Sequence, residues 1–128
     1  MNAKKPKVSA KKELDLKKAY HPLLYLNNKE KKIPTYPQNL HFDVNNRIMV
    51  VSGPNAGGKS ITLKTIGLLQ LMFQSGFLVP VSEESHMCVF DKILTDIGDN
   101  QSIENELSTY SYRLKNMHKF LKKCDEET

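Results

Sequence analysis

Two stretches near the start of the chain alternate apolar and polar residues. Leu14 and Leu16 are separated by a polar residue, and Leu40, Phe42 and Val44 follow the same rule. A period of two places alternate side chains on one face of an extended backbone. The pattern therefore predicts two short β-strands that each cover an apolar core with one face.

A continuous apolar run, Ile48 to Val51, comes next and predicts a third strand that is covered on both faces. After Ser52 the apolar spacing becomes helical. The residues that carry it are Ile61, Leu63, Ile66, Leu68, Leu69, Leu71, Met72 and Phe73. They cover so broad a surface that we expect a mostly buried helix, which Gly76 ends.

The rest of the chain gives weaker patterns. Residues 27–39 are typical of a loop, 77–81 of an edge strand at best, and 89–94 of further extended structure. Residues 98–107 are predicted to be a polar loop, and Ser108-Thr109 to start a helix that carries Tyr110, Leu114, Met117 and Leu121. The order strand, loop, helix and more strands indicates the α/β class, with a mixed sheet flanked by helices.

The net charge of +5 is confined to one end. Residues 1–18 hold seven lysines, one glutamate and one aspartate, and the remainder of the chain is neutral. A basic end can contact phosphate backbones. We favour the simpler prediction that residues 1–13 are a disordered basic tail, and that residues 14–128 form the folded part.

Composition excludes several classes of protein. No apolar stretch approaches the roughly 20 residues that cross a bilayer, so no membrane is involved. The N-terminus lacks the apolar segment of a secretory signal. Cys88 and Cys124 do not form a metal-binding pair and are expected to be free thiols in a reducing cytoplasm.

The chemistry of the chain centres on residues 53–60. Gly53, Pro54, Asn55, Ala56, Gly57, Gly58, Lys59 and Ser60 fit the phosphate-binding pattern G-x-x-x-x-G-K-[ST], between a predicted strand and a predicted helix. Glycines let successive N–H groups turn toward an anion, and the helix adds its positive N-terminal end. We therefore predict a site for ATP or ADP with Mg²⁺.

Two side chains have definite roles in such a site. Lys59 is expected to bridge the β- and γ-phosphates, and Ser60 to bind Mg²⁺ through its hydroxyl. Ile61 extends the nucleotide-binding segment, and Asn55 contacts phosphate or ribose or only braces the loop. His21 lacks a nearby carboxylate or cysteine partner in sequence, so a structural, hydrogen-bonded role is expected for it.

Three separated motifs resemble the ATPase domain of the MutS family. They are the loop at 53–60 with the residues that follow it, the segment Asp96 to Ser111, and His21-Pro22-Leu23-Leu24. The sequence of Asp96 to Ser111 is more similar to that of the MutS paralogue branch linked to recombination control than to that of the classical mismatch-repair branch. The resemblance covers roughly residues 14–124 and implies an ABC-like P-loop NTPase fold.

The resemblance also implies a composite site. In this superfamily two ATPase domains pair head to tail, and a signature loop of one contacts the nucleotide of the other. Ser108 and Thr109 would act in trans on the partner's nucleotide. A serine at a helix start also has a free hydroxyl and exposed N–H groups, although from these residues alone a plain helix cap is the favoured interpretation. Asp99 and Gln101 on the same loop are candidates to orient water or metal, and a solvated polar loop explains them equally well.

The resemblance assigns roles to other positions less directly. In the family an apolar or aromatic side chain covers the base, and Ile33 and Tyr36 are the candidates, between which spacing does not choose. Tyr20 stands where the family has arginine, so a charge-based role at that position is in doubt.

The acidic pair of a complete ATPase is missing. No apolar run after Ser60 ends in the two carboxylates that hold Mg²⁺ and polarise water. In the family that strand follows the helix that is expected to end near Lys123. We therefore expect the N-terminal half of an ATPase domain that lacks Walker B. It would bind nucleotide without turning it over, whereas the parent would be a DNA-dependent ATP hydrolase.

Three functions remain at this point. The first is the ATP-binding segment of a MutS-like DNA repair or recombination ATPase, a homodimer that contacts DNA through domains absent from this chain. The second is a non-catalytic nucleotide-binding or dimerisation module. The third is a P-loop kinase, which the presence of only Arg47 and Arg113 disfavours because an arginine-rich lid is expected.

Overall fold

The computed structural model describes residues 2–53, 58–97, 103–126 and 128, and only the backbone of 103–109. The chain divides into two compact units, Met1–Val89 and Phe90–Thr128.

The first unit is built on a mixed four-stranded sheet. Its strands are β1 (Lys7–Val8), β2 (Leu14–Ala19), β3 (Gln38–Phe42) and β4 (His86–Met87), in the order β1-β4-β2-β3. β1 runs parallel to β4, and β2 is antiparallel to both β3 and β4. The two strands predicted from alternation are thus present as β2 and β3, and the α/β class with a mixed sheet is confirmed.

Alternation on β2 separates an inner from an outer face of this sheet. Leu14 and Leu16 are buried, whereas Asp15 between them faces outward with partial exposure. The inner face forms the core with residues from the other strands, from α2 and from the loop before β4. The buried set is Leu14, Leu16, Ala19, Leu40, Leu69, Val79, Val81 and Met87.

Two helices belong to the first unit, α1 (Pro22–Glu30) and α2 (Lys59–Gln74). α2 confirms the predicted helix, and its end is as predicted because Gly76 has a φ of 80°, a conformation that glycine adopts without strain. The prediction of a mostly buried helix is wrong. Leu69 is fully buried, but Leu63 and Leu71 are about half exposed, because the sheet covers only one stripe of the helix.

The predicted strand at residues 48–51 is not formed. Ile48 is 88% exposed and Val50 is 86% exposed, and no ladder includes them. An apolar run becomes a covered strand only when neighbouring strands bond its backbone on both sides. In the described part of the chain the sheet ends at β3, which pairs with β2 alone.

The lysine-rich start also differs from expectation, because residues 4–9 are bonded to the sheet rather than disordered. The N–H of Lys4 donates to the carbonyl of Val79 at 2.8 Å, and that of Lys7 to Ser85 at 2.8 Å. Ser9 continues the ladder with a 2.9 Å bond to Met87. These bonds use only the backbone, so lysine side chains do not oppose them, and charge counting does not detect them.

Predictions differ from the structure at two further places. α1 continues to Glu30, four residues into the segment predicted as a loop, and β4 lies at 86–87 rather than within 89–94. Residues 77–81, predicted to be an edge strand at best, form an isolated bridge between Val79 and Lys4. These errors share a cause: short elements depend on partners distant in sequence, which local patterns do not contain.

The second unit contains α3 (Ile103–Lys123). The helix begins at Ile103, so the prediction of a polar loop through Leu107 is wrong. Glutamate and leucine are strong helix formers, and acidic residues near a helix start are favoured by its positive end. Lys92 bonds to the carboxylate of Asp125 and to the carbonyl of Lys123 at 3.1 Å, which ties the start of this unit to its end.

Two remaining properties match the sequence. Cys88 is buried and Cys124 is exposed, and both are free thiols as predicted. Within the described ranges, every helix is too short or too polar to cross a lipid bilayer.

Candidate phosphate-binding site

The start of α2 is the first component of the site. Gly58 immediately precedes the helix with φ 80° and ψ 19°, and no side chain caps it in the described part of the chain. The N–H of Thr62 donates to the carbonyl of Gly58 at 3.0 Å, which closes the first turn. Helix geometry leaves the amides of that first turn without intrahelical acceptors. They form, together with the helix dipole, a place for an external anion.

Glycine is required at both described ends of the loop. Gly53 has a φ of 149° and Gly58 a φ of 80°, values that other residues rarely adopt. A Cβ atom added at either position would meet no heavy atom of the described residues within 4 Å. Those residues therefore leave room for close approach of a ligand to the backbone at both glycines.

Lys59 lies at the mouth of the loop. Its Nζ donates to the carbonyl oxygen of Gly53 at 2.7 Å, so the side chain spans from the start of α2 back to the beginning of the loop. A cation is thus held beside Gly53, where the segment that the sequence assigns to phosphate begins. Ser60 and Ile61 follow in the first turn of α2, and both are partly buried. Pro54, Asn55, Ala56 and Gly57 lie outside the described residues.

The two candidates for covering a base lie after α1. Ile33 is 51% exposed and Tyr36 is 81% exposed. The segment is held by a bond from the Ile33 N–H to the Asn28 carbonyl at 2.8 Å, and by Asn28 Nδ2 to Thr35 Oγ1 at 3.0 Å. Both side chains therefore present accessible apolar surface, and the choice between them stays open.

The structure corrects one prediction for the signature segment. Ser108 and Thr109 lie inside α3, five and six residues after its first residue, so the expectation that they begin the helix is wrong. In the second turn of an α-helix, backbone N–H groups donate to carbonyls four residues earlier. A contact with a partner's phosphate would therefore depend on the hydroxyl groups. The side chains of both residues, and Gln101 entirely, lie outside the description.

His21 has the structural role that the sequence predicted. It precedes α1, and its Nδ1 accepts a hydrogen bond from the N–H of Leu24 at 3.3 Å. Burial and the nearby charge of Lys64 lower the pKa of His21 below its ordinary value of 6.5. The neutral ring that this favours is the form with a lone pair for the helix amide.

Sequence inspection missed a second polar grouping. Asp15, His41 and Asp43 come together on the outer face of β2 and β3, where His41 contacts both carboxylates. The only local signal is that Asp15 and His41 occupy outward positions of alternating strands. Their pairing depends on strand register, which the sequence did not define.

Together these features define an α/β domain in which a glycine-bounded loop leads into a helix start suited to an anion.

Comparisons with known proteins identify the family to which the domain belongs. The family model described as MutS domain V matches residues 49–128. The chain is 43% identical over all its 128 residues to Endonuclease MutS2 of Caldicellulosiruptor saccharolyticus, and spans 16% of that protein.

Two further relatives with the same name show a similar level of identity. Endonuclease MutS2 of Lactobacillus acidophilus is 44% identical over the whole chain, which spans 16% of it. Endonuclease MutS2 of Finegoldia magna is 45% identical over 117 residues, 91% of this chain and 14% of the relative. The chain therefore belongs to the MutS family, within domain V, and its similarity is to the MutS2 branch, the recombination-linked paralogue. It spans about one sixth of the length of these relatives.

Proposed function

We propose that this chain is the ATP-binding segment of a MutS-family ATPase that acts as a dimer on DNA. The observation that carries the proposal is the start of α2, where Gly58 leaves the helix uncapped directly before Lys59 and Ser60. Family membership supports it, because the matched domain V region includes this loop.

Different residues of the loop would contact the phosphates and the Mg²⁺ ion. Backbone N–H groups of the loop and of the first turn of α2 receive the phosphates, as an anion at a helix start requires. Lys59 exchanges the carbonyl of Gly53 for the β- and γ-phosphate oxygens. Ser60 supplies a hydroxyl ligand to Mg²⁺, which neutralises phosphate charge when bound. Ile33 or Tyr36 covers the base.

The partners of the site come from other chains or domains. We propose that Ser108 and Thr109 contact nucleotide held by a second copy, through their hydroxyls, since α3 starts well before them. The names of the relatives describe endonucleases. We propose that DNA is contacted by parts of the parent protein other than this segment.

A second function, a nucleotide-binding or dimerisation module without catalysis, has one observation in its favour. Within these 128 residues no apolar strand after Ser60 ends in an Asp-Glu pair. A Mg²⁺ ion held only through Ser60 and phosphate lacks the carboxylate that supports hydrolysis. We therefore expect the chain on its own to bind Mg-ATP without steady turnover.

Calorimetric titration of the 128-residue chain with Mg-ATP tests the binding. We expect saturable binding that Lys59→Ala weakens by at least about a hundredfold, because a charge-assisted bond to phosphate is lost. The matched control is Lys64→Ala, an exposed lysine of the same helix, whose loss should change the affinity less than about threefold. Equal effects of the two substitutions would contradict a specific phosphate site.

Turnover is measured separately, as phosphate release by the same chain. Steady hydrolysis that Lys59→Ala abolishes would contradict the proposal that this segment lacks catalytic machinery. Binding without hydrolysis is the expected outcome.

A further inference from the structure

The outer face of the sheet carries a polar row that the phosphate site does not use. Strand register places Asp15 of β2 opposite His41 of β3 on one side and opposite His86 of β4 on the other. Paired residues of antiparallel strands project to the same face. Since Leu14 and Leu16 are buried on the inner face, Asp15 and its two partners lie on the outer one.

Three side chains in this region converge on one point. Glu13, Asp15 and His41 each offer one ligand atom, and these atoms all lie within 4.8 Å of one another. His41 Nδ1 is 3.5 Å from Asp15 Oδ1, which is long for a hydrogen bond. Two ligands bound about 2.1 Å from a zinc ion at a tetrahedral angle are about 3.4 Å apart. The observed spacing therefore suits two ligands of one ion.

The other ring nitrogen of His41 is already held. Nε2 lies 3.1 Å from Asp43 Oδ2, and Asp43 Oδ1 accepts the N–H groups of Asn45 at 2.8 Å and of Asn46 at 2.7 Å. Asp43 is thus held in place outside the three-ligand group, where it can accept a hydrogen bond from Nε2 of His41. With the proton on Nε2, Nδ1 is available as a ligand on the side of Asp15, as in carboxylate–histidine–metal arrangements.

The surrounding charges are mixed. Lys17 Nζ lies 3.9 Å from Asp15 Oδ2 and 3.9 Å from Glu84 Oε2, and Ser9 Oγ donates to Glu13 at 3.4 Å. Lys17 is half exposed and can leave Asp15 without losing solvation. In the adjacent strand, Nδ1 of His86 is buried and has no hydrogen-bond partner within the described ranges. His86 lies outside the three-residue group whose ligand atoms are within 4.8 Å of one another.

We propose that Glu13, Asp15 and His41 form a binding site for a divalent transition metal of the zinc class, with Asp43 as the residue that orients His41. Two carboxylates and one imidazole match the preference of zinc, whereas magnesium and calcium prefer all-oxygen ligands. The ion would join β2 to β3 and is separate from the Mg²⁺ of the phosphate loop. The proposal does not depend on the nucleotide-binding function.

The test is titration of the nucleotide-free 128-residue chain with zinc chloride, in a Cys124→Ser background because the exposed thiol of Cys124 also binds zinc. We expect one zinc ion per chain. His41→Ala and Asp15→Asn should each weaken binding at least tenfold. Asp43→Asn should weaken it tenfold or more while the stoichiometry stays at one, since it removes only the orienting bond.

The matched control is His118→Ala, which removes an exposed histidine of α3 outside the site and should leave zinc affinity unchanged. Thermal unfolding gives a second measurement, since zinc should raise the melting temperature of the parent chain but not that of His41→Ala. Circular dichroism establishes that the variants fold. Zinc binding that His118→Ala weakens as much as His41→Ala, or no saturable binding, would overturn the proposal.

Discussion

The N-termini of α1 and α2 differ in how their first backbone N–H groups find hydrogen-bond acceptors. In both helices the N–H groups of the first turn have no acceptor within the helix itself. α1 begins at Pro22, which has no N–H, and His21 Nδ1 accepts the amide of Leu24. α2 begins after Gly58, which has no side chain to accept anything.

The backbone at the two positions accounts for this difference. His21 is extended, with φ −72° and ψ 115°, which lets its ring fold over the first turn. Gly58 is left-handed and open to solvent on the side where a Cβ would lie. One helix start is therefore satisfied within the chain, and the other is suited to an external anion.

The largest expected effect comes from giving α2 a cap of its own. Gly58→Asp places a carboxylate where we propose that phosphate binds, and should weaken Mg-ATP binding by about a hundredfold or more, through repulsion and competition for the same amides. Asparagine also tolerates a positive φ and is neutral. Gly58→Asn should therefore cost only about tenfold. Calorimetry on both variants measures the difference, and equal losses would mean that backbone strain, not charge, decides.

A smaller loss is expected from the hydroxyl next to Lys59. Ser60→Ala should reduce the affinity for Mg-ATP by about tenfold but leave the affinity for ATP without Mg²⁺ almost unchanged, because only the metal loses a ligand. Ser60→Thr retains the hydroxyl and serves as the control. Titrations with Mg²⁺ and with a chelator separate the two affinities. Equal losses in both would assign Ser60 to packing.

At the capped helix the expected effect is on stability alone. His21→Ala should lower the free energy of unfolding by about 0.5–1 kcal/mol, since it removes the acceptor of the Leu24 amide. His21→Asn supplies another acceptor and should recover most of it. Urea denaturation measures both, and Mg-ATP titration should be unchanged. A loss of nucleotide affinity in His21→Ala would mean that the two helix starts are coupled.

The smallest effect is a pH dependence. The pKa of His21 is lower in the folded chain than its ordinary 6.5, so the unfolded chain binds the proton more tightly. The stability contributed by the neutral ring is thus present above pH 6.5 and is lost as the pH falls below it. Melting temperatures from pH 8 to pH 5 should fall more for the parent chain than for His21→Asn. Parallel curves would contradict the role of the neutral ring.

The sequence predicted best where the signal is local. The period of α2, its end at Gly76, the alternation of β2 and β3 and the structural role of His21 all depend on residues within a few positions of one another. The glycines at 53 and 58 are a local signal too, because the positive φ at both positions restricts the residue type.

Features that depend on distant partners escaped prediction. Ile48 and Val50 have the composition of a covered strand, yet composition carries no information on whether neighbouring strands are present. The ladder of Lys4, Lys7 and Ser9 and the contact of Asp15 with His41 both arise from register between separated segments. The start of α3 differs from the prediction for another reason, since a run of polar residues fits a loop by its polarity and a helix by its propensity.

The strand order has a consequence for how the chain assembles. β2 and β3 lie close in sequence and can pair early, whereas β1 pairs only with β4 within the described residues. Its partner, His86–Met87, emerges from the ribosome only after α2. Contacts between distant segments form late because their loop closure is costly. Residues 4–9, which bond to this late-forming part of the sheet, are therefore expected to be ordered only after β2 has paired with β3.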